Sequence, residues 1–216
     1  MSDLPISYRS EFFRKTIHLL SVALPVGMLL VPRTTGLVAL AMLTALALAF
    51  EVARGINPEV NRFFVWQFGW MMRPDEKPPL GRIRISGATW VLLSALVLLV
   101  CFPARIAAMA LTVFMIGDAA AALVGRRFGR HRWSGSPKTI EGTIGFIVFG
   151  ALAALFFPKP AFWLGPAAAL LAGALELLPG PLNDNIQAPF ITALAIAATE
   201  HFVLGLPMGF LPGLAG

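Results

Sequence analysis

The chain has 216 residues, of which 57% are hydrophobic and only 13% are charged, against about 25% charged in ordinary soluble domains. With a mean hydropathy of +0.78, this composition excludes a soluble globular protein and predicts a single integral-membrane domain over residues 1–216, with the lipid bilayer as its partner. The formal net charge is +6. The basic residues cluster between apolar stretches and no groove-reading motif is present, so no nucleic-acid partner is expected.

Several apolar stretches are long enough to cross a bilayer as helices, which takes about 20 residues each. They predict an all-α, polytopic membrane bundle of about seven transmembrane helices. Small residues recur at every fourth position in the fourth and sixth stretches, a spacing that lets helix backbones approach closely, so these two are expected to be central. In chain order the stretches are 12–32, 35–53, 86–103, 105–125, 139–157, 161–179 and 186–206.

The longest connection, residues 54–85, contains the aromatic-rich sequence NRFFVWQFGWMMRP. Asn57 and Pro58 are typical of a helix N-cap followed by the first helical residue. The aromatic residues predict one additional helix that lies in the membrane interface. Such a helix would either anchor the protein or admit a lipid substrate.

The Lys and Arg residues near the ends of the predicted spans are distributed asymmetrically. Most lie in the N-terminal segment and in the connections after the second and fourth spans, and only Arg33, Arg105 and Lys159 lie on the other side. Because cytoplasmic loops carry the excess of Lys and Arg, the N-terminus is predicted to be cytoplasmic and the C-terminus to be outside. The composition favours a multi-pass protein of a prokaryotic plasma (inner) membrane.

Asp118 lies within the apolar stretch MIGDAAAALVGRRFG, about 10 Å below the cytoplasmic end of the fourth predicted span. Ionisable residues within membranes usually face the bundle interior and have a function. Glu141, Glu176 and Asp184 bring carboxylates from other segments to a similar predicted depth. Carboxylates repel one another where the dielectric constant is low, so a cation is required, and Mg²⁺ prefers oxygen ligands together with substrate phosphates.

The basic loop RRFGRHRWSGSPKTIEG precedes the fifth predicted span. Ser136 is expected to cap a helix that has Pro137 in its first turn. Lys138 would then lie beside free backbone N–H groups at a helix start, which is a favourable site for an anion. Together with the carboxylates, this arrangement predicts a Mg²⁺–nucleotide site at the cytoplasmic membrane surface, open sideways to lipid.

Other polar residues on the same side have both a functional and a structural interpretation. Glu11, Arg14 and His18 have the spacing of one helix face. Together with Lys15 they either join the site, or they only fix the orientation of the helix while Lys15 extends towards the interface. Glu51 either joins the site or pairs with Arg54.

Three further alternatives remain open. Lys138 and Glu141 have the i, i+3 spacing of a surface ion pair of little energetic value. Asp184 and Asn185 could cap the last helix. Glu200 and His201 lie toward the opposite side of the membrane and are expected to be unrelated to the site.

Three segments resemble a known enzyme family when they are taken together and in order. They are the pattern of Glu11 with Arg14, Lys15 and His18; GDAAAALVGRRFG followed by KTIEGTIGF; and ELLPGPLNDNIQAP. The resemblance is to the polyprenol, phytol and CTP-dependent diacylglycerol kinases, which include dolichol kinase and are related to the CDP-diacylglycerol synthases. Thr139 stands where serine is common, and Asn183 stands where an acidic residue is expected, which argues against a metal ligand at position 183.

The resemblance implies a phosphotransferase that moves a phosphoryl group from CTP, with Mg²⁺, to a membrane lipid alcohol such as a polyprenol, phytol or diacylglycerol. It implies three sets of site residues: catalytic Asp118, Asp184 and Glu141; nucleotide-binding Lys138, Gly125, Arg126, Arg127, Thr139 and Asn185; and metal-binding Asp118, Glu176 and Asp184.

Two other functions are alternatives to the kinase. A phosphatidate cytidylyltransferase that makes a CDP-lipid would need the same nucleotide and metal. A small ion-coupled transporter is disfavoured, because its polar groups should lie near the membrane midplane. There is no GxxxxGK[ST] motif, which excludes a P-loop kinase. The lipid, the catalytic base and the oligomeric state stay open, with a homodimer as one candidate.

Overall fold

The computed structural model describes residues 8–70, 83–134, 136, 138–158, 163–175, 177, 183–207 and 209–211. Within these residues the regular structure is helical, apart from one isolated β-bridge between Arg132 and Thr139, so the predicted all-α class is confirmed there. The helices are α1 (Tyr8–Leu20), α2 (Ala23–Leu30), α3 (Arg33–Ile56), α4 (Pro58–Phe68), α5 (Gly87–Cys101), α6 (Ala104–Phe128), α7 (Ile140–Ala154), α8 (Leu164–Leu175) and α9 (Asp184–Phe202).

In the described part of the chain, three segments are long and apolar enough to cross a membrane: Phe12–Leu30, Arg33–Ile56 and Ala104–Phe128. Three other apolar helices are shorter, since α5 and α7 have 15 residues and α8 has 12. The last helix, α9, has 19 residues but carries charged or ionisable residues at both ends. The chain is therefore a membrane protein by the apolar length of these helices, and the total of about seven spans stays a prediction.

The first predicted span is divided into two helices. The chain turns at Ser21 and Val22 between α1 and α2. Pro25 lies in the first turn of α2 and has no N–H to donate to the carbonyl four residues earlier, and Ser21 O instead accepts a hydrogen bond from Leu24 N at 2.9 Å. The proline therefore favours a helix start at this point over a continuous helix.

The central element is α6, whose residues from Ile106 to Met115 are all buried. A Cβ atom added to Gly117 would lie 2.7 Å from the ring of Phe146 in α7, and one added to Gly125 would lie 2.8 Å from Thr139 Oγ1. One added to Gly173 of α8 would lie 2.9 Å from α7. The small residues thus allow close packing of α7 against α6 and α8, which confirms the prediction that the fourth and sixth stretches are closely packed.

Contacts between distant segments occur at both ends of the bundle. At one end, Arg33 Nη2 donates to the backbone oxygens of Leu99 and Val100, both at 2.9 Å. At the same end, Arg105 Nη2 contacts both carboxylate oxygens of Glu200 at 2.6 Å. The starts of α1, α7 and α9 and the ends of α3 and α6 lie at the opposite end, called the site end below. Glu200 is therefore separate from the site end, as expected.

The helix α4 begins where the sequence predicts it. The Asn57 side chain accepts hydrogen bonds from Glu59 N at 2.8 Å and Val60 N at 3.3 Å, and Pro58 is the first helical residue. Phe63 and Trp66 are exposed, Trp66 at 75% of its surface. The predicted cap is confirmed, the location of α4 in the interface stays a prediction, and residues 71–82 lie outside the described part of the chain.

Candidate functional site

Asp118 lies in the C-terminal half of α6, and its carboxylate faces α1. Lys15 Nζ donates a hydrogen bond to Asp118 Oδ2 at 2.5 Å, and His18 Nε2 lies 3.5 Å from the same oxygen. The side chains are mostly enclosed, with 12% of Lys15 and 22% of Asp118 exposed. Since a buried charge is costly unless it is paired, the Lys15 ammonium explains how Asp118 is tolerated within an apolar helix.

The face of α1 that contacts Asp118 differs in part from the predicted face. Lys15 and His18 are three residues apart, which places them on one helix face, and both contact Asp118. Of the two alternatives for Lys15, the structure thus excludes the one in which its side chain extends away towards the interface. Arg14 interacts electrostatically with His18. Glu11 lies in α1, but its side chain is outside the described part.

A second lysine joins the same region. Lys138 Nζ lies 3.5 Å from Asp184 Oδ2, and Lys138 also interacts electrostatically with Asp118. Lys138 is partly exposed, and 56% of the Asp184 side chain is exposed. Lys15, Asp118, Lys138 and Asp184, called the charged cluster below, therefore bring together α1, α6, the α6–α7 loop and the start of α9.

The α6–α7 loop folds back on itself as a short hairpin, which fixes the position of Lys138. Ile140 N donates to His131 O at 2.9 Å, and Trp133 N donates to Lys138 O at 3.1 Å. The Trp133 indole also donates to Thr143 Oγ1 at 3.0 Å. These contacts hold the loop against the first turns of α7.

Ser136 does not cap α7, contrary to the prediction. Its hydroxyl accepts a hydrogen bond from Lys138 N at 3.2 Å within the hairpin. Thr139 is the N-cap, because its Oγ1 accepts from Gly142 N at 3.1 Å. Lys138 therefore immediately precedes the cap, still next to the free N–H groups of the first turn, while Pro137 lies outside the described residues.

Glu141 lies in the first turn of α7, outside the three segments that can span a membrane. The His131 ring Nδ1 is 2.7 Å from Glu141 Oε1, and His131 N donates to both carboxylate oxygens at 3.3 Å. The backbone N–H of Glu141 and the His131 side chain stabilise the anion and hold the pKa of Glu141 at about 2. Glu141 is thus ionised and paired with His131, and its catalytic role stays a prediction.

The end of α6 carries three of the predicted nucleotide-binding residues. Gly125 lies against Thr139, so its lack of a side chain is required for packing. Arg126 and Arg127 lie in the last turn of α6, and both are exposed. Their positive charge is next to the start of the loop that carries Lys138, and a phosphate contact stays a prediction for both.

The start of α9 gives Asn183 a structural role. Asn183 Oδ1 accepts from Asn185 N at 3.0 Å and from Asn185 Nδ2 at 2.9 Å, so Asn183 is the N-cap. The alternative that Asp184 and Asn185 cap this helix is wrong. The Asp184 carboxylate is therefore free of a capping role and faces Lys138.

Glu51 takes the structural alternative and lies in a separate buried pair. Its Oε2 is 2.9 Å from Arg54 Nη2. Its Oε1 accepts from Ser86 N at 2.9 Å and from Thr89 Oγ1 at 3.1 Å. Glu51 thus links the end of α3 to the start of α5, and the structure does not bring it into the charged cluster.

The carboxylates available for a metal ion are few. Within the described ranges, no group of three or more His, Cys, Asp or Glu side chains could hold a metal ion, and Glu176 lies outside those ranges. Mg²⁺ is commonly bound by one or two carboxylates and completes its shell with water and substrate phosphates. Asp118 and Asp184 are the two described carboxylates of the charged cluster, and a Mg²⁺ ion bound by them stays a prediction.

Comparisons with known proteins give partial similarities. No family model and no solved structure matches the chain. An uncharacterized protein of Rickettsia prowazekii is 26% identical over 189 residues, which cover 84% of this chain and 91% of that protein. Dolichol kinase of Saccharomyces cerevisiae is 43% identical over 83 residues, and phytol kinase of Synechocystis sp. is 32% identical over 108 residues.

The two kinase matches cover only parts of each protein. They include 34% of this chain and 16% of the dolichol kinase, and 46% of this chain and 46% of the phytol kinase. The chain thus spans less than half of the length of either enzyme. These partial similarities support a relationship to the polyprenol and phytol kinases.

Proposed function

We propose that the chain is a lipid-alcohol kinase that transfers the γ-phosphoryl group of CTP to the hydroxyl of a membrane lipid alcohol at the cytoplasmic face. One observation supports this proposal most. The three segments that resemble lipid kinases meet in the charged cluster, although Lys15 and Asp118 are 103 residues apart in sequence. Partial similarity to two enzymes named for phosphorylating long-chain alcohols supports the same activity.

The phosphates of the nucleotide would bind between the α6–α7 loop and the start of α7. Lys138 offers a mobile positive charge with three hydrogen-bond donors, and the free N–H groups at a helix start favour a bound anion. Arg126 and Arg127 add positive charge at the end of α6. Phosphoryl transfer depends mainly on positioning the reactants and on stabilising charge, and these residues can do both.

Asp118 and Asp184 are the carboxylates that would hold Mg²⁺. The ion, when bound, neutralises charge that develops on the phosphates during transfer. The Lys15 and His18 contacts both use Asp118 Oδ2, which leaves Oδ1 as the oxygen for a metal ligand bond. Asp184 is exposed enough to be reached without rearrangement of the helices.

The transfer itself needs one proton acceptor. The alcohol oxygen bonds to the γ-phosphorus, the bond to the β–γ bridging oxygen breaks, and CDP leaves. The hydroxyl proton passes to a carboxylate, for which Asp184 and Glu141 are the two candidates. The variant Glu141→Gln distinguishes them: if Glu141 is the base, the variant should lower the transfer rate and keep CTP binding, and an unchanged transfer rate would leave Asp184 as the base.

The decisive experiment supplies the purified protein with CTP labelled at either the α or the γ phosphate. Polyprenol, phytol, diacylglycerol and phosphatidate are offered in mixed micelles, with Mg²⁺ or with EDTA. A Mg²⁺-dependent γ label in an alcohol supports the kinase. An α label in the lipid would instead identify a cytidylyltransferase, and no label in any lipid would refute both enzymes.

The Asp118→Asn variant locates the reaction. It should lower the rate of γ-phosphoryl transfer from CTP to the lipid alcohol by at least about 100-fold, as removal of one strong electrostatic contact in an active site does. Glu59→Gln is the matched control, because Glu59 is an exposed carboxylate in the first turn of α4. Full activity in Asp118→Asn would show that the charged cluster is not the reaction centre.

A further inference from the structure

Lys15 is an unusual residue of the charged cluster, because it is largely enclosed and held by a single carboxylate oxygen. Its ammonium lies 2.5 Å from Asp118 Oδ2, and only 12% of its side chain is exposed. In this arrangement the lysine occupies one of the two oxygens of a carboxylate that the proposed function requires for a metal ion. A lysine that only compensated Asp118 would oppose metal binding at all times.

We propose that Lys15 is a phosphate-binding residue of the nucleotide site, whose ammonium moves from Asp118 to a phosphate oxygen when the metal and the nucleotide bind. This inference rests on the proposed function and gives it a second phosphate ligand besides Lys138. The ligand it predicts is the polyphosphate group of a nucleoside triphosphate.

Charge balance supports the exchange. At a low dielectric constant, an ammonium or a carboxylate that loses its partner is strongly destabilised. Metal alone would be repelled by Lys15, and a nucleotide alone would be repelled by Asp118. When both bind, Lys15 pairs with a phosphate and Asp118 pairs with the metal, so every charge keeps a partner.

The geometry supports it as well. Lys15 comes from α1 and Lys138 from the α6–α7 loop, and both interact with Asp118. Lys15 is paired with Asp118, and Lys138 Nζ lies 3.5 Å from Asp184 Oδ2, so each carboxylate that would hold the metal has an ammonium group beside it. A lysine side chain is flexible and can turn its donors to a new partner without any movement of the helix.

His18 provides the contact that remains after the exchange. Its Nε2 is buried and makes no hydrogen bond to the described residues, yet it lies 3.5 Å from Asp118 Oδ2. When Lys15 leaves, His18 can donate to this oxygen and keep the carboxylate oriented.

The test measures CTP binding rather than catalysis. Equilibrium dialysis with labelled CTP compares the wild type, Lys15→Met, Asp118→Asn and the double variant, all with EDTA. In the wild type, metal-free CTP binding should be weak, because Lys15 is paired with Asp118 and this carboxylate repels the phosphates, so Asp118→Asn should strengthen it. In the Asp118→Asn background, Lys15→Met should weaken CTP binding about tenfold, as expected for one charge-assisted hydrogen bond.

Binding of CTP with Mg²⁺ completes the test. Lys15→Met should weaken it about tenfold, and Lys15→Arg should restore most of the affinity because it keeps the charge. Arg62→Met, which removes a positive charge from α4, should have no effect. A Lys15→Met effect below twofold both in Asp118→Asn and with Mg²⁺ would overturn the proposal.

Two features keep the outcome interpretable. If Lys15→Met alone fails to fold, the comparison of Asp118→Asn with the double variant still decides, because the amide introduced at position 118 keeps an oxygen that can accept from Lys15 and the double variant leaves no charge at this position. If the wild type transfers the γ label but shows no coupling between Lys15 and Asp118, only this inference fails. If it transfers no label, the proposed function fails whatever the binding data show.

Discussion

Replacing Glu51 by alanine should strongly destabilise the protein without touching the charged cluster. Only 3% of Glu51 and 2% of Arg54 is exposed. The carboxylate receives Arg54 Nη2 at 2.9 Å, Ser86 N at 2.9 Å and Thr89 Oγ1 at 3.1 Å. Alanine removes the acceptor for all three donors and leaves the Arg54 charge without its carboxylate.

The expected magnitude follows from these contacts. Removing one partner of a buried ion pair costs about 3–5 kcal/mol. Glu51→Gln keeps an oxygen that can accept from Ser86 N and Thr89 Oγ1, so it should lose only the charged interaction, about 1.5–3 kcal/mol. Glu59→Ala, at an exposed position on α4, should stay within about 0.5 kcal/mol of the wild type.

Unfolding in mixed micelles with increasing denaturing detergent measures these differences. Labelled CTP transfer, measured per folded molecule, should be nearly unchanged in Glu51→Gln, because Glu51 lies in a separate pair. The structural assignment would be refuted if Glu51→Ala unfolded within about 1 kcal/mol of the wild type, well below the cost of breaking a buried pair. It would also be refuted if folded Glu51→Gln lost CTP binding as fully as a variant of the charged cluster.

Two further results are expected. Gly117→Ala places a Cβ atom 2.7 Å from Phe146 and should destabilise the protein by about 1–3 kcal/mol through overpacking. Gly27→Ala, whose added Cβ atom has nothing within 4 Å, should stabilise the protein by up to about 1 kcal/mol. Equal effects of the two variants in detergent unfolding would contradict the close packing of α6 and α7. The pKa of Glu141 is lowered from 4.5 to about 2, so its contribution to stability is complete above pH 4.5 and is lost as the pH falls to about 2. His131→Ala should raise this pKa only part of the way, because the Glu141 N–H still donates; a carboxyl carbon NMR titration that shows no change would refute the contact.

The comparison of two predicted caps shows where local reasoning succeeds. Asn57 caps α4 as predicted, because a side-chain cap depends on two or three neighbouring residues. Ser136 has the same local pattern but does not cap α7. The backbone hydrogen bonds from Ile140 N to His131 O and from Trp133 N to Lys138 O form a hairpin before the helix. The N-cap of α7 is therefore Thr139. A helix cap can thus be predicted from neighbouring residues only where backbone hydrogen bonds to more distant residues do not use the same N–H and C=O groups.

Asp118 illustrates the same limit for the site. Its depth in an apolar helix is sufficient to predict that it belongs to a functional site, and Lys15 and His18 are candidates by their position near the membrane entry of α1. That Lys15 reaches Asp118 could not be predicted from spacing within α1 alone, because the pairing depends on which face of α1 packs against α6. The i, i+3 spacing of Lys15 and His18 was the available signal for that face.

The sequence by itself determined the membrane character, the helical class, the cap of α4 and the acidic and basic residues that enter the site. These follow from composition and from interactions between residues a few positions apart. The tertiary structure decided that Lys15 pairs with Asp118 and Lys138 with Asp184, and that Glu51 belongs to a separate buried pair. These pairings join distant segments or depend on burial. They are set by how closely the helices approach at the small-residue faces of α6, α7 and α8. They are also set by the cost of leaving an enclosed charge without a partner.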